Sequence, residues 1–232
     1  MAMGERSLRE VKRAATRRAL ARTTYEMVLE RGLDHVTVDE VTRAAQLSRR
    51  TYSNYFANKE EAVAEVLVQT VQDRLAGWTP PAGGDLLAGV RSLVEHQFTG
   101  DFPEVLVSFR GLCSDHPQLV PYWNDALWRT WSMAASHLRS HLRSTARPDQ
   151  DGVDADLAMV TGAIYGVVST HFAIVPGAGG TGSAGASLAA VAAALTRVLA
   201  RLEVALGPEG DAAVRAAHEG AGQKSLAAGV EG

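Results

Sequence analysis

Apolar positions fall in helical register along nearly the whole chain. In residues 6–31, Leu20, Met27 and Val28 form one stripe among many Arg and Glu, which predicts a surface helix with a single core-facing side. Gly32 follows as a stop signal. Three further segments each carry their own start signal. Thr37-Val38-Asp39-Glu40 reads as a capping box, Ser48 as the cap of a second helix, and Asn58-Lys59-Glu60-Glu61 as the start of a long third helix reaching about residue 76. The run Gly77-Trp78-Thr79-Pro80-Pro81-Ala82-Gly83-Gly84 interrupts the pattern. Beyond it the spacing predicts helices from Asp85 to about residue 99, from Pro103 to about 116, and over 119–147, 153–175 and 187–206. In the last of these, Leu188, Val191, Leu195, Val198 and Leu202 step by three and four, a narrow seam suited to a partner helix. There is no strand-like alternation and no repeat of 20–50 residues. The fold class is all-α.

Composition adds three constraints. Apolar residues make up 46% of the 232, enough for a sizeable core. Cys113 is the single cysteine, so no intrachain disulfide and no cysteine zinc cage can form, which fits a reduced, cytoplasmic setting. The N-terminal residues lack the apolar run of a signal peptide. Residues 157–175 carry no Asp, Glu, Lys or Arg, but Thr161, Ser169, Thr170 and His171 spread polarity along them. A buried bundle or dimer helix is expected there, and no membrane span.

Charge changes the picture more. The net −3 conceals an asymmetry: residues 1–60 hold 12 Lys and Arg against 8 Asp and Glu, a balance of +4, whereas the remainder holds 11 against 18, a balance of −7. A basic head on an acidic body suits a protein that offers one end to a polyanion.

The basic end also holds a helix-turn-helix pattern. Val41, Ala44 and Ala45 can bury one face of the first motif helix, and Leu47 can plug the turn. Tyr52 and Phe56, four apart, can anchor the second helix. Arg49, Arg50, Ser53 and Asn54 then remain on or near its outer face. Arg reads guanine bidentately and Asn reads adenine. Thr37, Ser48, Thr51, Tyr55 and Lys59 offer the hydroxyls and the amine that suit phosphate contacts. Arg6, Arg9, Lys12 and Arg13 form a basic arm beside them.

At these residues a family resemblance emerges. The runs from Glu30 to Val41 and from Ala45 to Glu60 resemble the entry, turn, recognition helix and next cap of TetR/AcrR-family transcriptional regulators, over roughly residues 10–65. Two positions depart from the family pattern. Gln46 stands where glycine is usual, implying a strained turn, and Ser53 stands where an aromatic is frequent. The resemblance implies a three-helix DNA-binding head in residues 1–57, an effector-binding and dimerisation bundle in 58–206, and a mobile tail in 207–232. It further implies a non-enzymatic repressor that binds palindromic double-stranded operator DNA as a homodimer through helices 153–175 and 187–206. A small hydrophobic effector would release it. Control by a protein partner and a helical enzyme are the competing readings.

The body concentrates aromatics at Phe98, Phe102, Phe109, Trp123, Trp128, Trp131, Tyr165 and Phe172. Such residues form ordinary core as readily as pocket walls. Phe98, Phe109, Cys113, Trp128, Trp131 and Tyr165 are the expected effector contacts. The stretch from Cys113 to Leu119 resembles a segment of actinobacterial regulators that sense acyl-coenzyme A, which implies an acyl-CoA-like effector. No cofactor and no metal are expected. Gly177-Ala178-Gly179-Gly180-Thr181-Gly182 spells a dinucleotide fingerprint but lacks the strand before it. His137 and His141 lack a third metal ligand.

Overall fold

The structure is a computed structural model that describes residues 8–81, 86–144, 150–171 and 184–206. The expected Asp85 cap, Arg6, Phe172, the glycine run at 177–182 and the tail at 207–232 lie outside the described residues. Among the described residues all regular structure is helical.

Helix α1 (Leu8–Arg31) buries Leu20, Ala21, Thr24, Tyr25 and Val28, one stripe at spacings of one, three and four. Gly32 ends it at φ 81°, its N–H donating to Val28 O at 2.8 Å. A 3₁₀ turn at Leu33–His35 leads to α2 (Val38–Ala44) and α3 (Arg49–Ser53). These pack on α1 to make a small N-terminal head.

Helix α4 (Lys59–Gly77) leaves the head and continues into the body. Asn58 Oδ1 accepts from Glu61 N at 2.8 Å, while Glu61 Oε2 accepts from Ala57 N at 2.8 Å, so the helix start is closed by side chains on both sides of the cap. Ala62, Val63, Leu67, Val68, Val71 and Leu75 bury one face of α4 against α1 and against α7 (Val120–Ser144). The body adds α5 (Leu86–Gln97), α6 (Phe102–Asp115), α8 (Gln150–His171) and α9 (Ala184–Ala205). Pro103 sits in the first turn of α6, where its missing N–H costs nothing.

The break after α4 hides an anchor. Trp78 is buried, and its Nε1 donates to Ser92 Oγ on α5 at 3.2 Å. The seam of α9 is the helix-packing surface that its spacing predicts. Val191, Leu195 and Leu202 are buried within their own chain, where α9 packs on α8 and α5. Its outward face is instead lined by alanines, with Val204 exposed. On α8, Gly162 and Gly166 touch no intrachain neighbour and open onto solvent, together with Met159. No helix among the described residues is long and apolar enough to cross a membrane.

Candidate nucleic-acid interface

Each end of the motif is closed by local hydrogen bonds. Thr37 Oγ1 accepts from Glu40 N at 3.3 Å, and Glu40 Oε2 accepts from Thr37 N at 2.9 Å, a full capping box. Bonds from the Thr37 hydroxyl, the Thr37 amide and Arg31 hold the Glu40 carboxyl down at about 2. After α2, Leu47 N–H donates to Thr42 O at 2.8 Å and Gln46 N–H to Arg43 O at 3.2 Å. This pairing of the last helical carbonyls is a Schellman turn, which requires a left-handed residue at the second position after the helix. Gln46 supplies it at φ 54°, without glycine's freedom. The strained turn expected from the sequence is therefore present.

Ser48 opens α3, its Oγ accepting from Thr51 N at 3.0 Å. Tyr52 and Phe56 are 1% and 2% exposed, with ring centroids 5.7 Å apart, and they lock the recognition helix to the core. Burial pushes the Tyr52 phenol up to about 12, so it stays neutral. With that face fixed, Arg49, Arg50, Ser53 and Asn54 are all exposed, and Thr51 and Tyr55 are half-buried. Arg49 Nη1 rests on Asp39, 3.2 and 3.3 Å from its two carboxylate oxygens. Both side chains are solvated, so this contact is weak and easily exchanged for another acceptor. The Ser53 hydroxyl donates back to Arg49 O at 3.2 Å. Arg9, Lys12, Arg13 and Thr16 from α1 form one wall of an open recess of about 400 Å³, and Thr51, Asn54 and Tyr55 form the other. The basic arm and the recognition helix thus share one face.

Lys59 is placed differently from expectation. Its Nζ donates to Leu33 O and Val36 O, carbonyls in and just after the 3₁₀ turn, and the side chain is half-buried. It ties α4 to the turn instead of extending towards solvent.

A buried ion network lies beneath the recognition helix and escaped the sequence reading. Arg17 grips Glu65 with two parallel bonds, Nε to Oε1 at 2.7 Å and Nη2 to Oε2 at 2.9 Å. Its Nη1 donates to Tyr55 O at 2.9 Å, and its guanidinium lies 4.6 Å from the Phe56 ring centroid. Arg129 Nη2 of α7 reaches Glu65 Oε2 at 3.1 Å. Burial pushes the Glu65 carboxyl up, but Arg17 and Arg129 outweigh burial and hold it below its ordinary value. Glu65 thereby joins α1, the end of the recognition helix and the body. Two more struts cross the same junction. Asn58 Nδ2 donates to Tyr122 Oη at 2.7 Å, and Leu33 N donates to His116 Nε2 at 3.2 Å.

The body contains a strongly apolar cavity between α4, α5, α6, α7 and α8. Its open volume is about 60 Å³, and the whole recess including its mouth about 650 Å³. Of the expected effector contacts, Phe98 and Trp131 line it. Phe109, Cys113, Trp128 and Tyr165 do not. Phe109 is fully buried against Trp123, ring centroids 5.1 Å apart. Cys113 is also fully buried, and burial pushes its thiol up to about 12, leaving it inert. Trp128 lies on the outer side of α7, 61% exposed, and meets Tyr165 edge-on at 5.9 Å. Helical spacing alone cannot tell a pocket wall from core or from an outer face. Among the described residues no cluster of His, Cys, Asp or Glu could hold a metal ion.

Comparison with known proteins agrees with this geometry. Residues 20–66 match the domain described as bacterial regulatory proteins, tetR family. The chain is 31% identical over 81 residues to YdeS of Bacillus subtilis (strain 168), an uncharacterized HTH-type transcriptional regulator, covering 35% of this chain and 38% of that protein. It is 34% identical over 80 residues to the HTH-type transcriptional regulator TcmR of Streptomyces glaucescens, covering 32% of this chain and 35% of that one. The matched segments thus span little more than a third of those relatives. A crystal structure of a TetR-family regulator from Mesorhizobium loti MAFF303099 overlays with a TM-score of 0.41 at 16% identity, over 81% of this chain and 96% of that one. An exposed arginine pair on a capped helix, inside a matching segment, defines a helix-turn-helix domain of the DNA-binding type. Residues 20–66 are thus similar to the DNA-binding domain of tetR-family regulators.

Proposed function

We propose that the chain is a ligand-released repressor that grips palindromic operator DNA as a homodimer. The observation carrying this reading is the recognition helix: Tyr52 and Phe56 fix its inner face, which leaves Arg49 and Arg50 as a solvated basic tip. Arg49 and Arg50 read base edges, Arg49 exchanging Asp39 for a guanine, and Asn54 reads an adenine. Thr37, Ser48, Thr51 and Tyr55, with Arg9, Lys12 and Arg13, hold the phosphates. Ser53 lies close to the groove with its hydroxyl already bonded to the helix. Lys59 acts from behind, holding the 3₁₀ turn against α4.

The head comprises residues 1–57 and the body 58–206, with α4 as the shared lever. The partner subunit seats on α8 and α9, whose open faces carry Gly162, Gly166, Met159, Val204 and a row of alanines, small groups that let helices approach closely. Two heads are then set about one DNA turn apart, roughly 34–36 Å. Occupation of the apolar cavity shifts the population towards a spacing that no longer matches the groove. Action of the head on operator DNA would be exerted in the cytoplasm.

Fluorescence anisotropy on the DNA flanking its own gene tests this. Binding is expected at one dimer per palindrome, well above that on random duplex, and to fall by orders of magnitude between about 50 and 200 mM salt as counterions are released. A monomer in solution, or equal affinity for random DNA of the same length, overturns the reading.

A further inference from the structure

Among the described residues, the cavity wall carries no charged side chain. Its lining is aliphatic and aromatic, from Val71, Leu93, Phe98 and Trp131 to Ile164, with three polar residues: Gln97, Thr130 and Thr161. Two of the three have used their hydrogens. Thr130 Oγ1 donates to Leu127 O at 2.7 Å, and Thr161 Oγ1 to Leu157 O at 2.6 Å. Gln97 differs. It is 8% exposed, and both its amide nitrogen and its amide oxygen are buried without a partner among the described residues. A buried amide with neither group bonded is rare in native proteins and costly to keep. An apolar residue of similar size would fill the last turn of α5 without that penalty.

Resting on the effector reading above, we infer that the cavity takes an electrically neutral, mainly apolar molecule whose single polar group both donates and accepts, an alcohol, phenol or amide, and that Gln97 recognises it. The amide oxygen accepts the ligand hydrogen and the amide N–H donates to the ligand oxygen. A carboxylate or a phosphorylated thioester carrier would bring charge into a recess that has no cation among its described lining residues, so an acyl-coenzyme A head group does not match this wall. An alkane of the same shape leaves the amide as unsatisfied as before. Discrimination therefore rests on Gln97, while the aromatic and aliphatic wall supplies affinity for either.

Titration calorimetry of the full-length chain with 1-naphthol, naphthalene and 1-naphthoate separates these cases. The naphthol is expected to bind about 10- to 100-fold more tightly than naphthalene, with naphthoate not detectable. Gln97→Leu is expected to abolish the preference while keeping or raising the melting temperature, because it removes an unsatisfied amide. Equal binding of naphthol and naphthalene, measurable binding of naphthoate, no binding of any of the three by the folded chain, or a lower melting temperature for Gln97→Leu overturns the inference. Operator affinity is read in parallel. Gln97-dependent naphthol binding that leaves operator affinity unchanged would sink the release mechanism and leave this recognition intact. Loss of the naphthol preference with normal operator binding does the reverse.

Discussion

The head and the body use polar residues in opposite ways. In the head, the starts of α2 and α3 are satisfied from within three residues, Thr37 with Glu40 and Ser48 with Thr51, and Asn58 with Glu61 does the same where α4 enters the body. In the body, polar groups find partners across long stretches of chain, as Trp78 does with Ser92, Arg139 with Asp154 and Arg91 with Glu203, and Gln97 finds none among the described residues. A surface that must present a few atoms to a rigid groove needs a backbone fixed locally. A chamber that must accept a ligand can leave a group unsatisfied until the ligand arrives.

The largest effect is expected where the two regions meet. Glu65 is 6% exposed at its side chain and holds Arg17 bidentately beneath the recognition helix. Glu65→Ala leaves that guanidinium only its bond to Tyr55 O and the longer contact with Glu61 as polar contacts, and is expected to cost about 3 kcal/mol, the low end for breaking a buried ion pair from one side. Arg129→Ala removes a partner that is 40% exposed, and about 1 kcal/mol or less is expected. Urea denaturation of both variants measures the difference. Equal losses would mean that Arg129, not the Arg17 fork, holds the junction together.

Next in size is the arginine tip. Arg49→Ala and Arg50→Ala are each expected to reduce operator discrimination by about 1–3 kcal/mol while random-duplex binding falls much less. Competition anisotropy against unlabelled random DNA measures this ratio. A uniform loss on both duplexes would reassign the arginines to phosphate contact. Lys59→Ala sharpens the same comparison. Because Lys59 holds Leu33 O and Val36 O, its loss is expected to lower stability of the head, not only affinity.

This contrast also explains what could be read from the chain in advance. Caps are short-range patterns, so Thr37, Ser48 and Asn58 were legible from residue order, whereas the left-handed Gln46 was legible only through the glycine that the family resemblance puts at its position. The exposure of Arg49 and Arg50 followed from Tyr52 and Phe56 being four apart. The Arg17–Glu65–Arg129 network joins residues 48 and 64 positions apart and has no local signature. Helical spacing allowed one face to present both Trp128 and Trp131, but packing against α8 turns Trp131 into the cavity and leaves Trp128 outwards. The α9 seam was recognisably a packing surface. Which helix it meets depends on tertiary arrangement, and it meets its own α8 and α5.

Gln46 offers a smaller effect confined to the head. A non-glycine residue at φ 54° carries left-handed strain, which Gly relieves, although Gly also adds freedom to the unfolded chain. Gln46→Gly is expected to stabilise the chain by about 0.5–1 kcal/mol with operator affinity unchanged, as thermal denaturation and anisotropy would record. A destabilised variant would mean that the Gln46 side chain makes up for its own strain.

The smallest effect is a pH signature of the capping box. Glu40 has a folded-state pKa of about 2 against an ordinary 4.5, so its depressed value favours the folded chain wherever the unfolded carboxyl is ionised. That contribution is complete above about pH 4.5 and disappears as the pH falls towards 2. Gln at this position can still accept from the Thr37 amide but cannot titrate or pair with Arg31. The stability difference between wild type and Glu40→Gln is therefore expected to stay constant from pH 8 down to about 5, then shrink steadily towards pH 2. Glu65 titrates in both chains, and its contribution cancels in the difference. Urea titrations at successive pH values measure it directly. A difference that stays flat below pH 4.5 would show that Glu40 holds the cap by shape alone, and that its charge does nothing for the entry into the DNA-binding motif.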